Sequence, residues 1–176
     1  MCFSFSRWCL SAILFIGCSS GPSSDWPIAT GTSDAAFTIE MPVQNGEQTG
    51  ELEIAGEKVR MNIAISADSG ITYVASHFQV PQQLMTLEAG ERADLIWKVF
   101  VDRANAVQAE GSVPVVSAVP SRSGWFVNAD DVQMGIAMYL HEDHAIVLNA
   151  GTPGMAFGPD QRRRMERYFN SIRFQD

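Results

Sequence analysis

Apolar and polar residues begin to alternate at Phe37, where Phe37, Ile39 and Met41 are separated by Thr38 and Glu40 before the run stops at Pro42. A period of two places every second side chain on the same side of an extended chain, so this segment predicts a strand with one buried face. Val59, Met61, Ile63 and Ile65 repeat the pattern against Lys58, Arg60, Asn62 and Ser66. A two-residue turn at Ala55-Gly56 sets Leu52 opposite Val59 on the apolar face, with Glu53 opposite Lys58 and Glu51 opposite Arg60 on the other. Two complementary charge pairs, each contributing a few tenths of a kcal/mol, support that register. A second turn at Asp68-Ser69 predicts Ile65 against Thr72, Ile63 against Val74 and Val59 against Phe78, and brings His77 beside Arg60.

The period then lengthens. Ile96, Val99, Phe100, Arg103 and Val107 recur at three- and four-residue steps, which predicts a long middle helix over residues 91 to 110, closed by Gly111. Residues 113 to 119 and 125 to 128 predict a hairpin whose loop is Pro120-Ser-Arg-Ser-Gly124. Val132 to Leu140 alternates again, and a turn at Glu142-Asp143 returns the chain through Ala145 to Leu148, with Tyr139 facing Ile146 and Ala137 facing Leu148. Both faces of this pair are apolar, so each side requires a covering helix. Pro159 opens one candidate, in which Met165, Tyr168, Phe169 and Ile172 form the apolar stripe. The fold class predicted is therefore α+β: an antiparallel β-sheet flanked by helices, in one globular domain over residues 36 to 176.

Residues 1 to 17 follow a different rule. Arg7 precedes the apolar stretch from Trp8 to Ile16, about nine residues and too short to span a bilayer, which reads as a signal-peptide core. The next residues, Gly17-Cys18-Ser19-Ser20, resemble the lipobox of bacterial lipoproteins, with Phe15 standing where that motif usually has Leu. The resemblance implies that Cys18 is acylated and becomes the new amino terminus. Ser19 after it implies the periplasmic leaflet of the outer membrane in a Gram-negative host. Several acyl chains at about 0.8 kcal/mol per buried CH₂ make such an attachment effectively permanent. Residues 18 to 35 are rich in Ser, Gly and Pro without periodicity, and predict a flexible tether with a root-mean-square span of about 23 Å.

Composition narrows the function classes. The chain carries 20 acidic against 12 basic residues, a formal charge of −8, which loss of Arg7 with the leader deepens. This charge disfavours nucleic acid as a general partner, and none is expected. All the cysteines, Cys2, Cys9 and Cys18, precede the globular part, which has neither a disulfide nor thiolate chemistry. At 46% hydrophobic residues, the domain has enough apolar material to be held by its core.

The opening Phe37-Thr-Ile39-Glu-Met-Pro42, the strand meander, the long middle helix, the further strands and the closing Tyr168-Phe169-Asn-Ser171-Ile172-Arg173-Phe174 together resemble the PsbP-like superfamily over residues 36 to 174. That resemblance implies a sheet flanked by helices and a non-enzymatic assembly or binding factor. It carries no functional residues.

Candidate chemistry is sparse. His141-Glu142-Asp143-His144 falls at a hairpin tip where the two imidazoles become cross-strand neighbours, an arrangement open to zinc or copper but without an identifiable third ligand. No GxSxG elbow is present in the globular part, and Gly151 to Gly158 lacks the Lys and Ser or Thr of a phosphate loop. Arg162, Arg163, Arg164 and Arg167 concentrate positive charge on the last helix, either as a docking face for anionic lipid or an acidic protein partner, or as a solvated face paired to acids. Met61, Met134, Met138 and Met165 suit a core or a pocket for an apolar ligand. No cofactor, metal or catalytic residue is nominated. The leading expectation is a membrane-anchored lipoprotein acting as a non-enzymatic binding or assembly module. The alternatives are a small metal-dependent or hydrolytic enzyme using His141 and His144, and a carrier of an apolar ligand between sheet and helix.

Overall fold

A computed structural model of the chain describes residues 28–30, 37–42, 44–109, 111, 113, 121–153 and 158–174. The leader, Cys18 and most of the tether therefore lie outside the described residues.

The main sheet is built from β3 (Gln44–Ile54), β4 (Glu57–Asp68), β5 (Ile71–Gln79), β6 (Ala106–Gln108), β7 (Ser121–Asn128), β8 (Gln133–His141) and β9 (His144–Thr152). These seven strands lie in the order β3-β4-β5-β9-β8-β7-β6, with every neighbouring pair antiparallel. Between β5 and β6 runs helix α1 (Ala89–Ala104), preceded by a short 3₁₀ turn (Gln82–Thr86), and helix α2 (Pro159–Asn170) follows β9. A smaller sheet combines β1 (Ile28–Thr30), β2 (Phe37–Glu40) and β10 (Arg173–Phe174) around the central β2. The α+β class and the helix-flanked antiparallel sheet are as expected.

Strand alternation sorts the core into two layers. On one face Ile71, Tyr73, Ala137, Tyr139, Ile146 and Leu148 pack with Met165, Tyr168 and Phe169 of α2 and with Phe37, Ile39 and Met41 near the small sheet. On the other, Leu52, Ile54, Phe78, Phe126, Met134, Ile136 and Met138 pack with Ala93 and Ile96 of α1. The expectation that the central pair needs a helix on each side is met. Helix α2 starts as its residues dictate: Pro159 occupies the first turn, and Gln161 Oε1 accepts the Gly158 N–H at 3.0 Å.

The β3–β4 hairpin has the expected register, with Leu52 against Val59, Glu53 against Lys58 and Glu51 against Arg60. The β8–β9 hairpin likewise places Tyr139 against Ile146, Ala137 against Leu148 and His141 against His144.

Three expectations are corrected. The β4–β5 turn is Ser69-Gly70, with Asp68 paired to Ile71. Both turn residues have positive φ, 53° and 77°, a geometry that favours glycine at the second position and is common in tight hairpins. The register is thus displaced by two residues: Ile65 faces Val74, Ile63 faces Ser76, and His77 faces Asn62 instead of Arg60. Because the displacement is even, each side chain keeps its face. The middle helix ends at Ala104, where Asn105 turns left-handed at φ 47° and ψ 47°, and Val107 lies in strand β6 at 76% exposure. Finally, Ser121 to Gly124 is not a loop but the first half of β7, hydrogen-bonded alongside β8. The expected partner segment at 114 to 120 lies outside the described residues, although Val113 is buried in the α2-side core.

Candidate functional site

Helix α1 is shorter than the sheet it covers. It contacts β6, β7 and β8, and between its carboxyl-terminal residues and strands β4, β5, β9 and β8 the packing leaves a space. The result is an apolar trough with a cavity of about 160 Å³. Its floor comes from alternate residues of four strands: Met61, Ile63 and Ile65 on β4, Thr72, Val74 and Ser76 on β5, Val147 and Asn149 on β9, and Met134 and Ile136 on β8. Phe100, Arg103 and Ala104 of α1 form one wall, while Gln48 and Leu52 of β3 contribute to the lining. Phe100 is held in place by stacking on Phe78, with ring centroids 5.8 Å apart.

The polar groups of the lining are few. Ser76 Oγ donates to the Val147 carbonyl at 3.2 Å, so it is satisfied within the sheet. Asn149 Nδ2 approaches Met134 Sδ at 3.8 Å, a weak contact. Arg103 supplies the lone charge of the lining, and its Nη1 makes one long hydrogen bond, 3.5 Å, to the Glu51 carbonyl. Among the described residues the lining contains no carboxylate, imidazole or thiol. Chemically it offers hydrocarbon burial with one cation at the rim, not proton transfer.

The histidines singled out from sequence do meet as cross-strand partners. Each has a structural neighbour: His141 stacks on Phe174 with centroids 4.6 Å apart, and His144 Nδ1 lies 2.9 Å from Asp143 Oδ1. The Gln79 side-chain amide donates to Asp143 Oδ2 at 2.8 Å and, with His144 close by, holds the Asp143 carboxyl below its usual range. Among the described residues, no three His, Cys, Asp or Glu side chains converge as a metal site.

The arginines of α2 do not form one open face. Arg164 Nη1 bonds Asp68 Oδ2 at 2.8 Å. Arg167 reaches Glu40 Oε2 through Nε at 3.1 Å and Nη2 at 2.9 Å. Arg163 pairs with Asp160 one turn earlier, and the Arg162 guanidinium sits 5.3 Å from the Trp125 ring centroid. Of the four methionines, Met61 and Met134 reach the trough, whereas Met138 and Met165 are buried in the two core layers.

Compared with known proteins, the chain matches no family model, no curated protein and no solved structure. The functional reading rests on the trough itself. The sequence pattern placed Arg103, Thr72 and Val74 in a helix and a strand but nominated neither these nor Asn149 as site residues. Apolar positions at the half-covered end of a strand carry the same alternation as core positions.

Proposed function

We propose that this chain is an exported lipoprotein, held at a membrane through Cys18, whose domain is a non-enzymatic binding module that takes an apolar group into the trough beside α1. The trough carries this reading. It gathers mostly apolar side chains around an open cavity of about 160 Å³, and concave apolar sites with a few polar groups are where small molecules bind. The absence of titratable catalytic groups from its lining supports a binding role over a chemical one. The internal engagement of the α2 arginines favours the trough over that helix as the binding face. The assembly or binding role implied by the PsbP-like resemblance agrees with this reading. Among the described residues, no helix is long and apolar enough to cross a bilayer.

The full chain carrying Cys18→Ala tests the trough without a competing acyl group. The neutral apolar dye N-phenyl-1-naphthylamine should bind with saturable fluorescence enhancement, and Val74→Trp, which projects an indole into the trough, should abolish the enhancement while circular dichroism stays native. Dye binding that is absent, or that is unaffected by Val74→Trp, would sink the binding reading. For the anchor, the unaltered chain should sediment with membranes and incorporate labelled palmitate, and Cys18→Ala should do neither.

A further inference from the structure

The trough has a direction. Its floor is mainly apolar, with Ile63, Ile65, Val74 and Val147 beside the neutral polar Thr72, Ser76 and Asn149, while its rim at the carboxyl end of α1 carries the exposed Arg103. Arg103 makes a single long hydrogen bond to a backbone carbonyl and no ion pair among the described residues. The other arginine of that helix, Arg92, approaches the sulfur of Met85 at 3.1 Å instead. In a chain of formal charge −8, an unneutralised guanidinium at the rim of an apolar cavity is the complement of an anion attached to a hydrocarbon.

Resting on the binding reading above, we propose that the occupant is an anionic amphiphile: a carboxylate-headed acyl chain whose carboxylate pairs with Arg103 while its chain lies along the trough. The cavity of about 160 Å³ bounds its size. A comparable protein cavity of about 150 Å³ holds one benzene, so the enclosed part accommodates about six carbons. The cavity is not fully enclosed, which lets a somewhat longer chain run on. Medium-chain carboxylates therefore fit better than long ones folded back on themselves. Arg over Lys suits the task, because the planar guanidinium can engage both carboxylate oxygens at once.

The test is displacement of N-phenyl-1-naphthylamine from the full Cys18→Ala chain at neutral pH by three ligands of one chain length: decanoate, decanol and decyltrimethylammonium. Decanoate should compete at least tenfold better than decanol, and the cationic amphiphile worst. Arg103→Gln should remove the advantage of decanoate over decanol, and Arg103→Lys should restore part of it. Equal competition by all three head groups, or an equal loss for decanoate and decanol in Arg103→Gln, would overturn the proposal while leaving an apolar binding site in place. Failure of the dye and all three amphiphiles to bind would overturn both. A chain that is dimeric by light scattering, and that decanoate does not dissociate, would assign the trough to side chains of a second copy and would also overturn it.

Discussion

The Tyr139 hydroxyl donates to the Phe169 carbonyl at 2.9 Å, joining the middle of the main sheet to the last turn of α2. Carbonyls in a final helical turn have no partner within the helix, and this one is buried, so the phenol satisfies a group that water cannot reach. Tyr139→Phe leaves it unpaired at nearly constant packing. We expect a loss of about 1–3 kcal/mol, read as a lower urea midpoint with an unchanged slope. A loss below about 0.5 kcal/mol would show that the carbonyl finds another donor.

Alkaline pH should unfold the domain through the same cluster. The chain's three tyrosines, Tyr73, Tyr139 and Tyr168, are all fully buried. Burial raises the pKa of each phenol above the ordinary 10.0, with Asp68 adding to the effect at Tyr73 and the neighbouring phenols at Tyr168. For a group whose folded pKa is raised, stability is fully present below the unfolded value and is lost as pH climbs toward the folded one. Above the ordinary tyrosine pKa, each protonated phenol should therefore lower stability by about 1.4 kcal/mol per pH unit. Absorbance at the tyrosinate wavelength should rise in one cooperative step, coincident with loss of circular dichroism. Independent ionisation of any of the three before unfolding would contradict the burial.

Close packing on the same face makes one glycine indispensable. A Cβ at Gly135 would stand 2.8 Å from the Trp125 ring and 2.9 Å from that of Phe169, both parts of buried aromatic side chains. Gly135→Ala should cost about 1–3 kcal/mol by overpacking. Gly90, in the first turn of α1, has nothing within 4 Å of such an atom. Gly90→Ala should be neutral or stabilise by up to about 1 kcal/mol. Thermal melts of the two variants should move apart, and equal shifts would remove the packing argument.

What could be read from residues alone follows from where local signals are redundant. The β3–β4 register was legible because the turn, the apolar alternation and two charge pairs all specify Leu52 against Val59. The β4–β5 register lacked flanking charge pairs, and Asp68-Ser69 and Ser69-Gly70 preserve the same faces, so alternation could not separate them; only the positive φ demanded at position 70 does. Helix and strand were confused after Ala104 because Val107 satisfies either period, and a left-handed Asn105 decides it. Ser121 to Gly124 has the composition of a loop, but pairing along β8 overrides that preference. The trough was hidden for a further reason. It is assembled from residues of β3, β4, β5, β8, β9 and the carboxyl end of α1, a tertiary property with no local signature.

The arginines of α2 provide the last prediction, because neighbouring residues of one type should behave differently. Arg164 and Asp68 are 2.8 Å apart with side chains only 26% and 13% exposed, and Asp68 also accepts a bond from Ser69 Oγ at 2.9 Å. Their pair fastens the helix to the β4–β5 turn in a region of reduced screening, and removing the cation leaves a carboxylate with too few donors. Arg163 and Asp160 are 72% and 84% exposed, where water competes fully and the pair contributes little. Arg164→Ala should therefore cost about 1–3 kcal/mol, whereas Arg163→Ala should stay within about 0.5 kcal/mol of the unaltered chain. The double variant Arg164→Ala with Asp68→Asn should recover part of the loss, since no uncompensated charge then remains. If Arg163→Ala and Arg164→Ala were equally mild, while reversing both charges weakened binding to anionic vesicles, the helix would be a docking face instead of a clamp, and the trough would lose one of its supports as the principal binding surface.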